Sequence, residues 1–367
     1  MADRRVFFAT NRRWNDADAG FGVLPEEPAS RVWLGTVDVG VSADPLVEGR
    51  VSPPRRTGND DLAPGGACSG VLSAWLLEAA STGAVPLLSV HGFNYTFAEA
   101  CARAGNLCDW LEAAGGIRLV PLAFTWPSNG DGSLAAYPKD QQQCAASDVA
   151  LARLVHAIAE ATAAALRPGR KPAWLAHSMG ARATRCAMQV LNRGPAAIPQ
   201  RLFGQALIMA GDDDTTVLDT GTGPLLPLLE LADWTTIGVY AKDPPLTHIS
   251  AARNGRRRLG AHGPDRLPQP ADRCYVVDYG RAVDHRFDIP GGTTWNDVGH
   301  QYYRADARVR RDMVAALGGA APEAVPGRRW ARPDPTTGGS ERAGRLYVLE
   351  DKTTSVANAP QLPNSAA

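Results

Sequence analysis

A short apolar run stops abruptly at a serine within residues 171–180, K-P-A-W-L-A-H-S-M-G. Where a buried strand turns sharply into a helix, the two backbones pass close together, so the residues two before and two after the serine must be small. Ala176 and Gly180 occupy these positions, which gives the pattern G-x-S-x-G with alanine in the first place. We interpret Ser178 as a nucleophile on a strained turn; a strand end whose serine merely caps the next helix is the alternative.

Strand and helix patterns alternate on both sides of this segment. Residues 85–90 are an almost continuous apolar run, and Thr96 and Glu99 follow at the spacing of a capping box that opens a helix. Further strands are predicted at 118–126, 201–210, 234–241 and 273–279, and further helices at 71–80, 141–166 and 305–317. This order is typical of an alpha/beta fold with a mostly parallel sheet, helices on both faces and functional groups at the carboxyl ends of the strands.

The first 70 residues do not follow this alternation. Residues 4–12 and 31–41 are rich in Val, Phe and Trp, so we expect two strands that pair antiparallel at one edge of the sheet. Residues 42–70 contain several prolines, glycines and charges, which predicts a loop.

Beyond residue 320 the composition shifts to Pro, Gly, Arg, Ser and Thr, and only 345–349 has the pattern of a strand. We therefore predict a catalytic domain over 1–320 and a C-terminal extension over 321–367. Within the domain, segments 212–233 and 253–272 are candidates for a lid, because the first holds a cluster of leucines. An ordinary crossover helix is the alternative for that cluster.

Charge and cysteine content exclude several classes of partner. Lys plus Arg and Asp plus Glu number 38 each, so no net charge favours nucleic acid. No stretch has the apolar length of a secretory signal or a membrane span, and a cytoplasmic protein is expected. The six cysteines form no C-x-x-C pair, which indicates reduced thiols rather than a metal site.

A nucleophilic serine needs a base and a carboxylate that orients it, which in hydrolases of this chain order follow as Asp or Glu and then His. Asp243 comes directly after a predicted strand, and His300 precedes the last helix in G-H-Q-Y-Y. Asp212-Asp213-Asp214, after the preceding strand, is the rival source of the acid, and His285 is the rival base.

The developing oxyanion requires backbone N–H donors next to the serine. We expect one from Met179 and the second from Phe93, in the loop after the strand at 85–90. Five further residues lie beside these motifs and are candidates for substrate binding, although a tight turn or simple packing would also explain them. They are His91, Asn94, Trp126, Tyr137 and His177.

Six blocks of the sequence together resemble a known family. In chain order they are V-F-F-A-T-N-R, V-H-G-F-N-Y-T-F, F-T-W-P-S-N-G, A-H-S-M-G, V-Y-A-K-D-P-P-L and G-H-Q-Y-Y. They are similar to a bacterial alpha/beta-hydrolase family long catalogued as a domain of unknown function, over most of residues 4–317. The resemblance implies the alpha/beta-hydrolase fold, with Ser178, Asp243 and His300 as a catalytic triad.

These observations favour a serine carboxylesterase that acts on a small-molecule acyl ester and needs no metal or organic cofactor. A lipase, thioesterase or amidase with the same triad is an alternative, because the same chemistry serves all these carbonyl groups. The alternative that is not an enzyme is a binding protein that has the hydrolase fold but no catalytic activity. The presence of all three triad residue types favours the enzyme.

Overall fold

The alternating pattern produces one large twisted sheet. The computed structural model describes residues 3–40, 42, 49–57, 62, 67–131, 133–165, 169–266, 273–281, 299–330 and 346–349. Its strands are β1 (Asp3–Thr10), β2 (Arg12–Asn15), β3 (Gly20–Pro25), β4 (Trp33–Gly40), β5 (Arg55–Thr57), β6 (Val85–Val90), β7 (Leu119–Thr125), β8 (Ala173–His177), β9 (Phe203–Met209), β10 (Ala232–Val239), β11 (Cys274–Asp278), β12 (Arg328–Trp330) and β13 (Leu346–Leu349). Its helices are α1 (Ala67–Thr82), α2 (Phe97–Glu112), α3 (Tyr137–Ala146), α4 (Asp148–Ala163), α5 (Gly180–Arg193), α6 (Pro227–Leu231), α7 (Ala251–Asn254), α8 (Leu259–His262) and α9 (Ala307–Leu317).

Eleven of the described strands share the sheet, in the order β12-β13-β11-β10-β9-β8-β6-β7-β1-β4-β5. All neighbours from β13 to β1 run parallel, whereas β1 with β4, β4 with β5 and β12 with β13 run antiparallel. β2 and β3 form a separate hairpin. The predicted fold class is confirmed, including the antiparallel N-terminal strands at one edge.

Helices cover both faces of the sheet and complete its two larger hydrophobic clusters. One core takes its side chains from α1, α4 and α5, and includes the fully buried Trp75 and Leu154. The other is built on α2 and α9, with Leu111 and Met313. Because every residue of β7 and β8 is buried, these central strands need apolar residues on both faces, as their sequences show.

The long helix predicted at 141–166 is wrong, because the chain forms two helices, α3 and α4, that meet at Ser147. The Ser147 hydroxyl donates to the carbonyl of Gln143 at 2.8 Å and accepts from the Asn11 amide at 3.0 Å. A serine side chain that bonds to nearby backbone offers an alternative to helix continuation. The loop predicted at 42–70 also contains the short strand β5, whose three exposed residues give no apolar pattern.

The leucines of 212–233 lie in the core. Leu225, Leu228 and Leu231 are fully buried in the same cluster as α5, and α6 leads directly into β10. This packing is what the crossover-helix alternative expects, and the lid stays a prediction. In the second candidate lid segment, α8 is held against the chain after β9, because Gly260 donates its N–H to the carbonyl of Gly211 at 2.8 Å. Residues 267–272 of this segment lie outside the described residues.

The region beyond residue 320 contributes to the sheet. The strand predicted at 345–349 forms as β13 and extends the parallel sheet beside β11. Arg328, which opens β12, makes a two-point ion pair with Asp312 of α9 at 2.6 and 2.9 Å, and both side chains are 1% exposed. The division of the chain at residue 320 remains a prediction.

Deleting residues 321–367 should destabilise the protein. The truncation leaves Asp312 buried without its arginine, and removing one partner of a buried ion pair costs about 3 kcal/mol or more. We expect a lower free energy of unfolding in urea, with a chain that ends at residue 350 as the control. Equal unfolding curves for the two truncated chains would show instead that the extension is an independent appendage.

Candidate active site

Ser178 lies on the turn between β8 and α5 with a backbone φ of 53°. A non-glycine residue in this left-handed region costs on the order of 1–3 kcal/mol and persists only where the surroundings enforce it. The enforcing bonds are present: the Ser178 N–H donates to the carbonyl of Met209 at 3.1 Å, and the Ser178 carbonyl accepts from the N–H of Asp212 at 2.9 Å. The predicted strained turn is therefore present.

The turn also requires Gly180. A Cβ at this position would lie 2.4 Å from the carbonyl oxygen of Val90 and 2.8 Å from that of His91. Both obstacles are backbone atoms at the end of the neighbouring strand β6, so a side chain could not be accommodated by rotamer changes. Ala176 is fully buried on the strand side of the turn, where a methyl group fits.

The three residues predicted as a triad converge at the carboxyl ends of the strands. His300 Nε2 lies 2.9 Å from Ser178 Oγ, and His300 Nδ1 lies 2.7 Å from Asp243 Oδ2. The other Asp243 oxygen accepts from the N–H of Leu246 at 3.1 Å, which fixes the carboxylate. With Nδ1–H donated to the carboxylate, Nε2 is left to accept the serine proton.

The rival carboxylates are engaged elsewhere. Asp212 accepts from Arg258 Nε at 2.9 Å and from the Tyr137 hydroxyl at 2.6 Å. Asp213 pairs with Arg185 at 2.7 Å, and Asp214 pairs with Arg258 at 2.6 Å. Asp243 is thus the acid in contact with His300. The rival base His285 lies outside the described residues.

The two expected oxyanion donors flank the serine. Met179 follows it directly, and Phe93 lines the same cavity as Ser178. Gly92 lies so close that a Cβ there would be 2.9 Å from Ser178 Cβ, which brings the loop after β6 against Ser178. Within the described part of the chain, neither the N–H of Phe93 nor that of Met179 has a hydrogen-bond partner, so the protein itself occupies neither donor.

Of the five predicted substrate-binding residues, Tyr137 and His177 line the cavity at Ser178. His91, Asn94 and Trp126 are not among its described lining residues. The rings of His91 and Trp126 stack 4.9 Å apart, and Trp126 Nε1 donates to the His91 carbonyl at 3.0 Å. The sequence did not predict the remaining lining residues as substrate-binding residues, because they come from separate loops. They are Tyr95, Leu134, Asp212, Pro245, Leu246, Ile249, Ser250 and Gln301.

Two buried histidines near the serine are held neutral. Burial lowers the pKa of His177 well below its ordinary value, and the charge of a protonated His300 lowers it further. Burial, assisted by the Arg12 charge, lowers the pKa of His91 to about 3. The His177 ring lies between those of His300 and Tyr303, at 4.8 and 4.6 Å, and therefore supports the His300 ring without adding charge.

In the described ranges, no group of three or more His, Cys, Asp or Glu side chains is placed to hold a metal ion. No described helix combines the length and the apolar character needed to cross a membrane.

Residues 73–316 match the model of a family described as alpha/beta hydrolase of unknown function (DUF900). Because this match spans well over half of the 367 residues, the chain belongs to that family. The family supports a hydrolase. A comparison with curated proteins found no match, and neither did a comparison with solved structures.

Replacing Gly180 with alanine should separate β6 from α5 and lower the free energy of unfolding by ~1–3 kcal/mol, as overpacking does elsewhere. Gly70→Ala is the matched control, because a Cβ at this exposed helical position meets nothing within 4 Å. We expect it to leave stability unchanged or raise it by up to about 1 kcal/mol. Urea unfolding measures both, and equal effects would contradict the close approach at the turn.

Proposed function

We propose that the protein is a serine hydrolase that cleaves carboxylic esters through an acyl-enzyme intermediate. The single observation that carries this proposal is the chain of hydrogen bonds from Ser178 Oγ to His300 and from His300 to Asp243, at 2.9 and 2.7 Å. Such a chain raises the nucleophilicity of a serine hydroxyl that is otherwise unreactive at neutral pH.

In the first half of the reaction, Ser178 Oγ attacks the ester carbonyl while His300 Nε2 takes its proton. Asp243 stabilises the imidazolium that forms, and the N–H groups of Phe93 and Met179 donate to the oxyanion. The tetrahedral intermediate collapses, and His300 returns the proton to the departing alcohol. Water then attacks the acyl-enzyme with His300 as base, which releases the acid and restores Ser178.

The lining of the cavity suits an uncharged substrate. Phe93, Leu246 and Ile249 supply apolar surface beside Ser178. No lysine or arginine is among the described lining residues, and the one carboxylate there, Asp212, is paired with Arg258 at 2.8 Å. An ester with an apolar acyl group therefore fits this surface better than one with a charged acyl group.

Ser178→Ala should lower kcat/KM for a nitrophenyl ester at least about 10⁴-fold, because catalysis by the triad is lost as a unit. Ser73→Ala, at an exposed position on α1, should leave the rate unchanged. An amide and a thioester with the same acyl group, assayed in parallel, identify the preferred carbonyl. Ester hydrolysis that survives Ser178→Ala would move the nucleophile to another residue.

The acid is tested by two isosteric changes. Asp243→Asn should preserve folding yet lower kcat about 10⁴-fold, because the histidine then loses its orienting carboxylate. Asp213→Asn should affect stability through its ion pair with Arg185 and leave turnover nearly intact. A larger loss of turnover at Asp213 would reverse the assignment.

A further inference from the structure

The loop between β6 and α2, residues 91–96, carries Phe93 and is held in an unfavourable backbone conformation. Asn94 has a φ of 66°, in the left-handed region that non-glycine residues rarely adopt. Such a residue keeps its conformation only where contacts from outside the loop impose it. The contacts that do so here come from side chains far away in the sequence.

Asp140, in the first turn of α3, supplies the central contact. Its Oδ2 accepts from the N–H of Asn94 at 3.1 Å and from the Ser128 hydroxyl at 2.7 Å. Its Oδ1 accepts from the N–H of Asn129 at 2.9 Å. The carboxylate is fully buried, and it therefore joins the loop after β6 to the loop after β7 without water.

Ser128 and Arg12 extend this contact to the next residue of the loop. Ser128 Oγ accepts from the N–H of Tyr95 at 2.9 Å while its hydroxyl proton is donated to Asp140. Arg12 Nη2 donates to the carbonyl of Tyr95 at 2.6 Å, and Nη1 to the carbonyl of Ser128 at 3.1 Å. Both backbone polar groups of Tyr95 are thus fixed, directly after the peptide fixed by Asp140.

Three hydrogen bonds and one positive charge favour the ionised form of Asp140 against the effect of burial. The pKa of this carboxyl lies above its ordinary value because of burial, and the hydrogen bonds from Ser128, Asn94 and Asn129 together with the Arg12 charge limit the rise. A carboxylate in the first turn of a helix is also favoured by the helix dipole.

We propose that Asp140 is a positioning residue for the oxyanion hole: by holding the N–H of Asn94 directly and that of Tyr95 through Ser128, it aims the N–H of Phe93 at the oxygen of the reacting carbonyl. This role rests on the proposed function, since it concerns the same reaction. Asp140 touches no substrate atom and acts only through the backbone of the loop. Its loss should therefore affect the transition state much more than substrate binding.

The test is Asp140→Asn, which preserves volume but offers an N–H₂ group to donors that need an acceptor. Because loss of one oxyanion donor costs ~10²–10³ in kcat, misdirecting one should lower kcat/KM by ~10–100-fold. KM should change by less than about threefold, because ground-state binding does not use this donor. The affinity of a boronic acid, which forms a tetrahedral adduct with the serine, should fall by the same factor as kcat/KM.

Asp312→Asn is the matched control, because Asp312 is also fully engaged in buried hydrogen bonds but lies on α9 with Arg328 and Tyr279. It should lower stability and leave kcat per folded molecule unchanged. Ser128→Ala removes the hydroxyl that links Asp140 to the N–H of Tyr95 and leaves the carboxylate in place. We expect kcat/KM and boronate affinity to fall together, by a smaller factor than in Asp140→Asn. If Asp140→Asn does not fold, the Ser128→Ala result decides.

The outcomes separate the two proposals. Absence of ester hydrolysis by the wild-type protein overturns the proposed function and this role with it. An active wild type whose Asp140→Asn variant keeps kcat/KM and boronate affinity within about threefold overturns the positioning role alone. The positioning role is also wrong if the loss of activity only equals the loss of folded protein, or if the variant raises KM and leaves kcat unchanged. Asp140 would then be a purely structural residue.

Discussion

The close approach of two backbones at the turn after β8 is the constraint on which the site depends. Gly180 lets α5 begin against the last carbonyls of β6, and the same contact places Gly92 beside Ser178. Because β6 and β8 are neighbours in the sheet, the loop that carries Phe93 and the turn that carries Ser178 reach the same point. The parallel sheet thus brings Ser178, Phe93 and Met179 together at the carboxyl ends of two neighbouring strands.

The polar side chains around this point are buried, and each therefore has a defined hydrogen-bond partner. Asp243 is fully buried and contacts His300, whereas Asp212 and Asp213 are buried against arginines. Buried carboxylates are costly unless they are paired and hydrogen-bonded, so each has one defined set of contacts. The neutral His177 packs on His300 without competing for the carboxylate. A buried, ordered His300 is the arrangement that general-base catalysis needs.

Local sequence patterns were sufficient for the central strands and for the turn at Ser178, because the features that specify them lie within ten residues. Chain order favoured Asp243 over Asp213, and the ion pair of Asp213 with Arg185 depends on contacts that no local pattern shows. The break at Ser147 was missed because the Ser147 hydroxyl, which donates to the Gln143 carbonyl, is also bonded by Asn11 from far away in the chain. Asp140 was missed for the same reason: its three donors lie on two other loops.

The covalent intermediate offers the most direct test of the central claim that Ser178 is the nucleophile. A fluorophosphonate reacts with an activated serine and remains attached, so peptide mass mapping after labelling locates the reactive oxygen. We expect one phosphonyl group per chain, on the peptide that contains Ser178, and no labelling after mild unfolding. A stable adduct on another residue, or no adduct on a folded protein that hydrolyses esters, would contradict it.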